Sequence, residues 1–440
     1  MKIDINNKTV GGFTCEFLRG ISLEYVGAAE FGECMETISR VKDGNFNSWI
    51  SEWASTADRV SKYAEKELNL EDKLAAKNAY LRASNYYRMA VFYASHTDPR
   101  HTELWKRSKE CFHNMIKLMD NPIEIIEIDF EGAKLPAYFI SGGEGKRPTL
   151  IAMGGFDSTM EEVYCWIGAV AADYGWHCLI FEGPGQWGAL KLNPGLVFRP
   201  DYEKPVQSVV DYLLSRSDVD EDKIAIIGYS MGGYLAPRAA QGDQRIKACI
   251  ANTLVADPAE AAKAGLKGLS NAQVIDTMFG FIMRVNTPGR WSFQHSQWTL
   301  GIEKPHDWIE AYNPFTLKGL EDNFKNPMLF LFSEDDIIDA AAPSAKIVSE
   351  LLEFIISLNC DRAVHLFTKE EGASGHCQMG GLSYAHPVIF GWLNQTLCGK
   401  ESKVEPDVSS KDAFVEIFKK YGGETAGKKA RELLDIARYI

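Results

Sequence analysis

The sequence lacks any apolar run close to the roughly 20 residues that a membrane-crossing helix needs. Its opening, MKIDINNKTVGGF, has no basic stretch leading into an apolar core and a small-residue cleavage site. Neither membrane insertion nor secretion is expected, and the expected location is the cytoplasm. Positive charge is also in deficit: 47 Lys and Arg against 60 Asp and Glu leave a formal charge of −13. That sign is wrong for a surface that tracks a phosphate backbone, so no nucleic-acid partner is expected. The nine cysteines (15, 34, 111, 165, 178, 249, 360, 377 and 398) form no C-x-x-C pair and no Cys/His cluster at zinc spacing. Odd in number and widely scattered, they read as reduced thiols. There is no H-E-x-x-H motif and no paired-carboxylate motif. Glu182-Gly183-Pro184-Gly185-Gln186 has the glycines of a phosphate loop without its Lys-Ser/Thr or the G-x-G-x-x-G spacing. No metal and no cofactor is expected, and internal repeats and low-complexity tracts are absent.

What is present can bury a large core. The chain has 440 residues, 45% of them hydrophobic and 24% charged, more than one compact core usually organises. From about Asn47 to Asp120 the apolar residues recur at helical spacing: Trp49, Trp53, Ala57, Val60 and Ala64, then Leu104, Trp105, Cys111, Phe112, Met115 and Met119. Between these sets, 79–95 is apolar or aromatic nearly all round, as a helix buried between neighbours would be. Three or more helices are expected, ended by Asn121-Pro122. Beyond that point short β-rich runs take over. The segment 123–141 reads as two strands joined at Glu131-Gly132, and 148–155, 176–185, 222–233, 246–253 and 327–336 are apolar strands. Helical patterns at 161–174, 203–216 and 232–241 lie between them. This alternation predicts an α/β fold, a mostly parallel sheet with helices on both faces and its chemistry at the carboxyl ends of the strands. Two segments break it: an aromatic insertion at 257–320, placed where a lid would sit, and a tail from about 399 with helical stretches at 413–421 and 428–440. The expected division is a helical cap or interaction unit over 1–121, a catalytic unit over 122–398 and a helical tail over 399–440.

The strongest chemical signal is Gly228-Tyr229-Ser230-Met231-Gly232. This G-x-S-x-G follows the strand KIAIIG and precedes a helix-forming run. A serine in so tight a strand-to-helix turn points its oxygen out of the sheet as a nucleophile. Its partners are expected downstream in the order acid, then base. The strand MLFLF leads to Asp336 as the acid, with Asp335 as the alternative. Of the three later histidines, His376 lies in a small-residue loop after the strand VHLFT. His365 falls within a strand pattern and His386 before a proline at a helix start, so both are read as structural. An oxyanion hole needs two amides: Met231, following the nucleophile, and Phe156 in the first strand-to-helix loop, with Gly155 as the alternative.

These motifs join AYLRASNYYRMAVFY (79–93), GGFDSTMEE (154–162), FEGPGQWG (181–188) and GASGHCQMG (372–380). Over about 123–397 the sequence resembles the α/β-hydrolase superfamily. More narrowly, it resembles the 2,6-dihydroxypseudooxynicotine hydrolase group and the related microbial polyketide-shortening hydrolases. The resemblance implies an α/β-hydrolase fold whose site is covered by an amino-terminal helical region and an inserted lid. It implies cleavage of a carbon–carbon bond next to a carbonyl in an aryl ketone, β-diketone or polyketide-like small molecule. Ser230, Asp336 and His376 then occupy the positions of the family's triad. Ser333 stands where a glycine is usual before the acid. Esters, amides and acyl transfer use the same triad and are the alternative activities. The helical unit is also a candidate contact for a homodimer.

Overall fold

Apolar runs that alternate with amphipathic stretches become the strands of one nine-stranded sheet in the computed structural model, which describes residues 11–121, 123–265, 269, 271–336, 344–400 and 408–440. Pro122, the opening segment 1–10 and the start of the tail at 401–407 lie outside the described residues. The strands are β1 (Glu124–Phe130), β2 (Ala133–Ile140), β3 (Arg147–Met153), β4 (His177–Phe181), β5 (Val219–Tyr229), β6 (Ala248–Asn252), β7 (Met328–Ser333), β8 (Arg362–Phe367) and β9 (Arg438–Tyr439). Their order across the sheet is β1-β2-β4-β3-β5-β6-β7-β8-β9. β2 pairs antiparallel with β1 and with β4, and the remaining pairs are parallel. The order reverses between β3 and β5, so the loops leaving their carboxyl ends share the crevice where such sheets bind ligands.

The central strands are apolar throughout because both faces are covered. Leu150 and Ala152 of β3, Ile227 of β5 and Leu329 and Leu331 of β7 point into one core. Their neighbours Ile151, Met153, Ile226, Met328, Phe330 and Phe332 point into the other. The first core is shared with five amino-terminal helices: α1 (Phe13–Ile21), α2 (Phe31–Arg40), α3 (Phe46–Asn69), α4 (Lys73–Val91) and α5 (Pro99–Ile116). Three begin on a side-chain cap: Asn45 accepts from the Ser48 amide, Asp72 from Ala75 and Asp98 from Arg100. Trp49, Trp53, Tyr86 and Phe112 are fully buried among them, as the spacing implied.

The insertion folds into helices Pro258–Gly265, Ala272–Val285, Thr287–Thr299 and Asp307–Tyr312. Its aromatics fasten it on two sides. Trp291 stacks on Phe92 of the amino-terminal unit at 4.7 Å and donates its indole N–H to the Phe92 carbonyl at 3.1 Å. Trp298 meets Trp187, beyond β4, edge-on at 5.0 Å. Among the described residues no helix is long and apolar enough to cross a membrane.

The tail departs from the expectation of helix up to Ile440. Its helical stretch Val408–Ile436 bends at Gly423 (φ 74°), and Arg438 and Tyr439 then pair with Ala363 and Val364 as the edge strand β9. Helix propensity loses here because β8 offers an unpaired edge, and covering it also buries Phe414, Phe418 and Leu433 in the second core. Phe418 lies 5.2 Å from Phe332 of β7. Phe418→Ala is therefore expected to cost about 3–5 kcal/mol, read as a lower urea midpoint at unchanged m value. A loss below about 1 kcal/mol would show that the tail adds little to the core.

Candidate active site

The turn after β5 places Ser230 in the left-handed backbone region, at φ 59°. A residue with a Cβ pays on the order of 1 kcal/mol or more for that conformation. Two backbone hydrogen bonds hold it: the Ser230 amide donates to the Asn252 carbonyl at 2.7 Å, and the Gly233 amide donates to the Ser230 carbonyl at 2.8 Å. The turn closes so tightly that a Cβ on Gly228 would lie 2.0 Å from the Gly232 carbonyl oxygen. This is the physical reason for the first glycine of the motif. Ser230 is partly exposed, and the helix Gly232–Gly242 runs directly from it.

Asp336 and His376 meet at 2.6 Å, between Oδ1 and Nδ1. The second Asp336 oxygen accepts from the Thr253 hydroxyl at 3.0 Å, and the carboxylate is almost fully buried. Asp335 has a different set of partners: its amide donates to the Ser374 carbonyl, and its carboxylate accepts from the Ser374 hydroxyl at 2.8 Å and pairs with Lys369 at 2.8 Å. Burial pushes the His376 imidazole toward neutrality, but the Asp336 carboxylate and the neighbouring Cys377 together outweigh it and hold the pKa well above the usual histidine value. His365 directs Nδ1 at the Ile440 carbonyl, and His386 donates Nε2–H to the Trp166 carbonyl at 2.7 Å, both away from this pair.

Asn252, at the end of β6, ties the two loops together. Its carbonyl takes the Ser230 amide and also the Cys377 thiol, at 3.6 Å. Its side chain exchanges two hydrogen bonds with the Gln378 amide, at 2.7 and 2.9 Å. Gln378 also donates to the Ser333 hydroxyl at 2.9 Å, a contact that a glycine at this position could not offer. Cys377 and Gln378 both have positive φ, 53° and 57°, so the loop that carries His376 is held in a strained path by these contacts.

The loop after β3 lies against the elbow. A Cβ on Gly155 would come within 2.6 Å of the Tyr229 carbonyl and 2.7 Å of the Met231 nitrogen. Four successive carbonyls of this loop are held by side chains. Gln186 donates to Gly154 and Gly155 (2.9 and 3.2 Å), His295 Nε2 to Phe156 (2.9 Å) and the Trp187 indole to Asp157 (2.8 Å). The Gly155 amide donates to the Ser158 hydroxyl at 3.0 Å, so that alternative donor is occupied. Among the described residues neither the Phe156 nor the Met231 amide has an acceptor within the protein.

A buried charge cluster fixes the same loop to α1. The Arg19 guanidinium bonds Glu162 through Nε and Nη2 at 2.6 and 2.5 Å, Asp157 at 3.0 Å and Glu16 at 3.2 Å. Arg88 of α4 adds contacts to Glu162 and Glu16 at 3.2 and 3.6 Å. All five side chains are buried. Burial raises the Asp157 carboxyl, yet Arg19 outweighs it and the net shift is downward. Glu16 is pushed up by burial to about 7. Sequence reasoning passed over Arg19, Gln186, His295, Asn252 and Gln378. The available signal was the charged pair Glu16 and Arg19, three residues apart inside the otherwise apolar FTCEFLRGI.

The model of the FrsA-like esterases matches residues 29–258, a span that includes the Ser230 elbow and the loop after β3. The chain belongs to the FrsA-like esterase family. Among its relatives, 20-hydroxy-prefusarin hydrolase FUS2 of Gibberella moniliformis is 32% identical over 88% of this chain and 97% of its own length. Hydrolase ORFZ of Pyricularia oryzae is 36% identical over 87% of this chain and 96% of its own. The crystal structure of 2,6-dihydroxy-pseudo-oxynicotine hydrolase, at 20% identity, covers 88% of this chain and 98% of its own with a TM-score of 0.67. The fold is that of the α/β-hydrolases, with a helical amino-terminal region, and the chain is a hydrolase by family.

Two of the motifs quoted for the narrower resemblance have a local physical role in this FrsA-like chain. GGFDSTMEE supplies the loop with Asp157 and Glu162, and FEGPGQWG supplies Gln186 and Trp187, which hold it. Arg19→Met would leave three buried carboxyl groups facing one remaining cation. The expected loss at pH 7 is about 3–5 kcal/mol in chemical denaturation. A loss under 1 kcal/mol would mean that the carboxyl groups escape to water or take up protons at little cost.

Proposed function

We propose that this protein hydrolyses a carbon–carbon bond next to a carbonyl, in a retro-Claisen reaction on an aryl ketone, β-diketone or polyketide-like substrate. The observation that carries the proposal is the Asp336–His376 pair at 2.6 Å, docked through Asn252 onto the left-handed Ser230 turn. In this reading His376 takes the Ser230 proton as the oxygen attacks the carbonyl carbon, and Asp336 holds the imidazole in orientation. The Phe156 and Met231 amides receive the oxyanion. When the tetrahedral intermediate collapses, the carbon–carbon bond breaks and its electron pair leaves as an enolate or phenol-stabilised carbanion, which His376 protonates. Water, activated by His376, then releases the acyl group as a carboxylic acid.

The surroundings suit a neutral, flat substrate. Phe156 is flanked by Phe198 at 6.1 Å, Trp291 at 6.2 Å and His295 at 4.8 Å. The relative FUS2 is by name a hydrolase of 20-hydroxy-prefusarin, which supports hydrolysis of a small organic molecule here. Ester hydrolysis is the second reading, favoured by the family's description as esterases and by the ability of the same constellation to serve both bonds.

Folded Ser230→Ala protein should lose at least about 10³-fold in turnover of both benzoylacetone and p-nitrophenyl acetate, because the triad acts as a unit. Near-normal turnover by that variant would end the covalent route. In the wild type, a higher kcat/KM on the diketone supports carbon–carbon cleavage, and fast, general ester turnover supports the second reading.

The pH profile gives a separate check. His376 must be neutral to accept a proton, and its raised pKa extends the protonated form to higher pH. kcat/KM is therefore expected to climb with pH through an apparent pKa above about 6.5. Asp336→Asn should move that limb to lower pH while reducing the plateau by roughly 10³–10⁴-fold. An unmoved limb would assign the titration to another group.

A further inference from the structure

We infer that His295, carried by the insertion helix Thr287–Thr299, is a positioning residue for the proposed hydrolysis: through the Phe156 carbonyl it fixes the backbone that presents the Phe156 amide. The inference rests on the nucleophile reading above and extends it to the insertion.

A carbonyl oxygen only accepts, so the 2.9 Å contact to Phe156 requires that His295 Nε2 carry the proton and donate. The ring is buried in an aromatic box of Trp291 (5.5 Å), Trp187 (5.7 Å), Trp298 (5.8 Å) and Phe156 (4.8 Å). Phenylalanine would fill such a box without the cost of desolvating two ring nitrogens. The polar contact is what a histidine adds there.

Its place in the loop gives that contact a purpose. Gln186 holds the peptide plane before the Phe156 α-carbon, through the Gly155 carbonyl, and His295 holds the plane after it. With both planes pinned, neither backbone dihedral of Phe156 can rotate, and its free N–H keeps one direction. Gln186 and Trp187 both come from the turn after β4, inside the main fold. His295 alone among these donors comes from the insertion, so the loop is fully held only when the helix Thr287–Thr299 is seated. A misaim of an angstrom at an oxyanion donor is enough to cost up to about 100-fold in rate.

Two variants separate positioning from packing. His295→Phe keeps the aromatic filling and removes the donor; His295→Gln keeps an N–H near the Nε2 position and removes the ring. The readout is the second-order rate of Ser230 modification by a fluorophosphonate. Here the serine oxygen bonds to phosphorus, fluoride leaves, the proton passes to His376, and the phosphoryl oxygen needs the same two amides. Intact-mass and peptide analysis assign the modified residue, and thermal midpoints are recorded for each variant. His295→Phe is expected to react about 10- to 100-fold more slowly than wild type, and His295→Gln within about threefold of it, even where the Gln variant melts lower. Equal rates for the Phe variant and the wild type, or a Gln variant slower than the Phe variant, would overturn the role of His295 and leave the nucleophile reading intact. Wild-type protein that gains no mass at Ser230 would overturn both.

Discussion

The left-handed backbone at Ser230 is the constraint around which the rest of the site is arranged. Left to itself the residue would relax toward ordinary β or helical angles, and its oxygen would turn toward the sheet. The Asn252 carbonyl prevents this by accepting the Ser230 amide at 2.7 Å. Asn252 is in turn immobilised by its paired amide bonds to Gln378, which reaches on to Ser333 at the end of β7. The end of β6 thereby serves as a common anchor for the Ser230 turn, the His376 loop and the strand that leads to Asp336. A shift of any one of these segments would break hydrogen bonds that the others need, and a half-satisfied buried amide pair is costly. Strain at one residue is maintained by a network that over-determines it.

The loop opposite the elbow is held by charge rather than by strain. Arg19 and Arg88 bring two positive charges into a buried cluster that contains Asp157, Glu162 and Glu16. Three ionised carboxylates would leave an excess negative charge in an apolar core, which is expensive. Burial instead pushes Glu16 up to about 7, so the surplus carboxyl is the one that takes up a proton near neutrality. Such a cluster contributes little net stability compared with a well-packed apolar one. Its effect here is one of register: α1 can seat over the loop in one position only, with the guanidinium between the rings of Phe92 and Trp166 at 5.5 and 5.4 Å. The amino-terminal helices and the sheet thus share a charge network as well as a core.

This division explains what could be read from sequence. The elbow, the parallel sheet and the amino-terminal helices were legible because each leaves a periodic or local trace: G-x-S-x-G between strand and helix, runs apolar on both faces, and indole rings at helical spacing. Asp336 was legible as the partner of His376 by its position after the strand, but Asp335 stayed open beside it, since adjacent residues on one turn differ only in direction. Their direction is set by Ser374 and Lys369, which take Asp335. The anchoring by Asn252 and Gln378, 126 residues apart, leaves no local pattern at all. Nor did the tail announce its last step. Arg438 and Tyr439 are a strand because an edge of β8 is open to them, a fact of topology that no window of sequence contains.

The same committed charges bear on the kind of substrate that the proposed reaction can use. Arg19, packed against the loop of Phe156 and Asp157, is spent on three carboxyl groups, and the side chains seen around Phe156 are aromatic rings and one histidine already donating to a carbonyl. In the proposed reaction two amides meet the oxyanion, and among the described residues His376 is the group that protonates the departing carbon only once its electron pair has left. Breaking a carbon–carbon bond in such a place demands that the leaving carbon carry its own electron sink, because a bare carbanion in a low-dielectric pocket would be prohibitively high in energy. A second carbonyl at the β position, or a phenol conjugated to the departing carbon, meets that demand, whereas an ester supplies its own stable alkoxide or phenolate. In the proposed reaction, selection therefore falls on the electronics of the leaving group and on a flat, uncharged shape, with the aromatic insertion setting the shape.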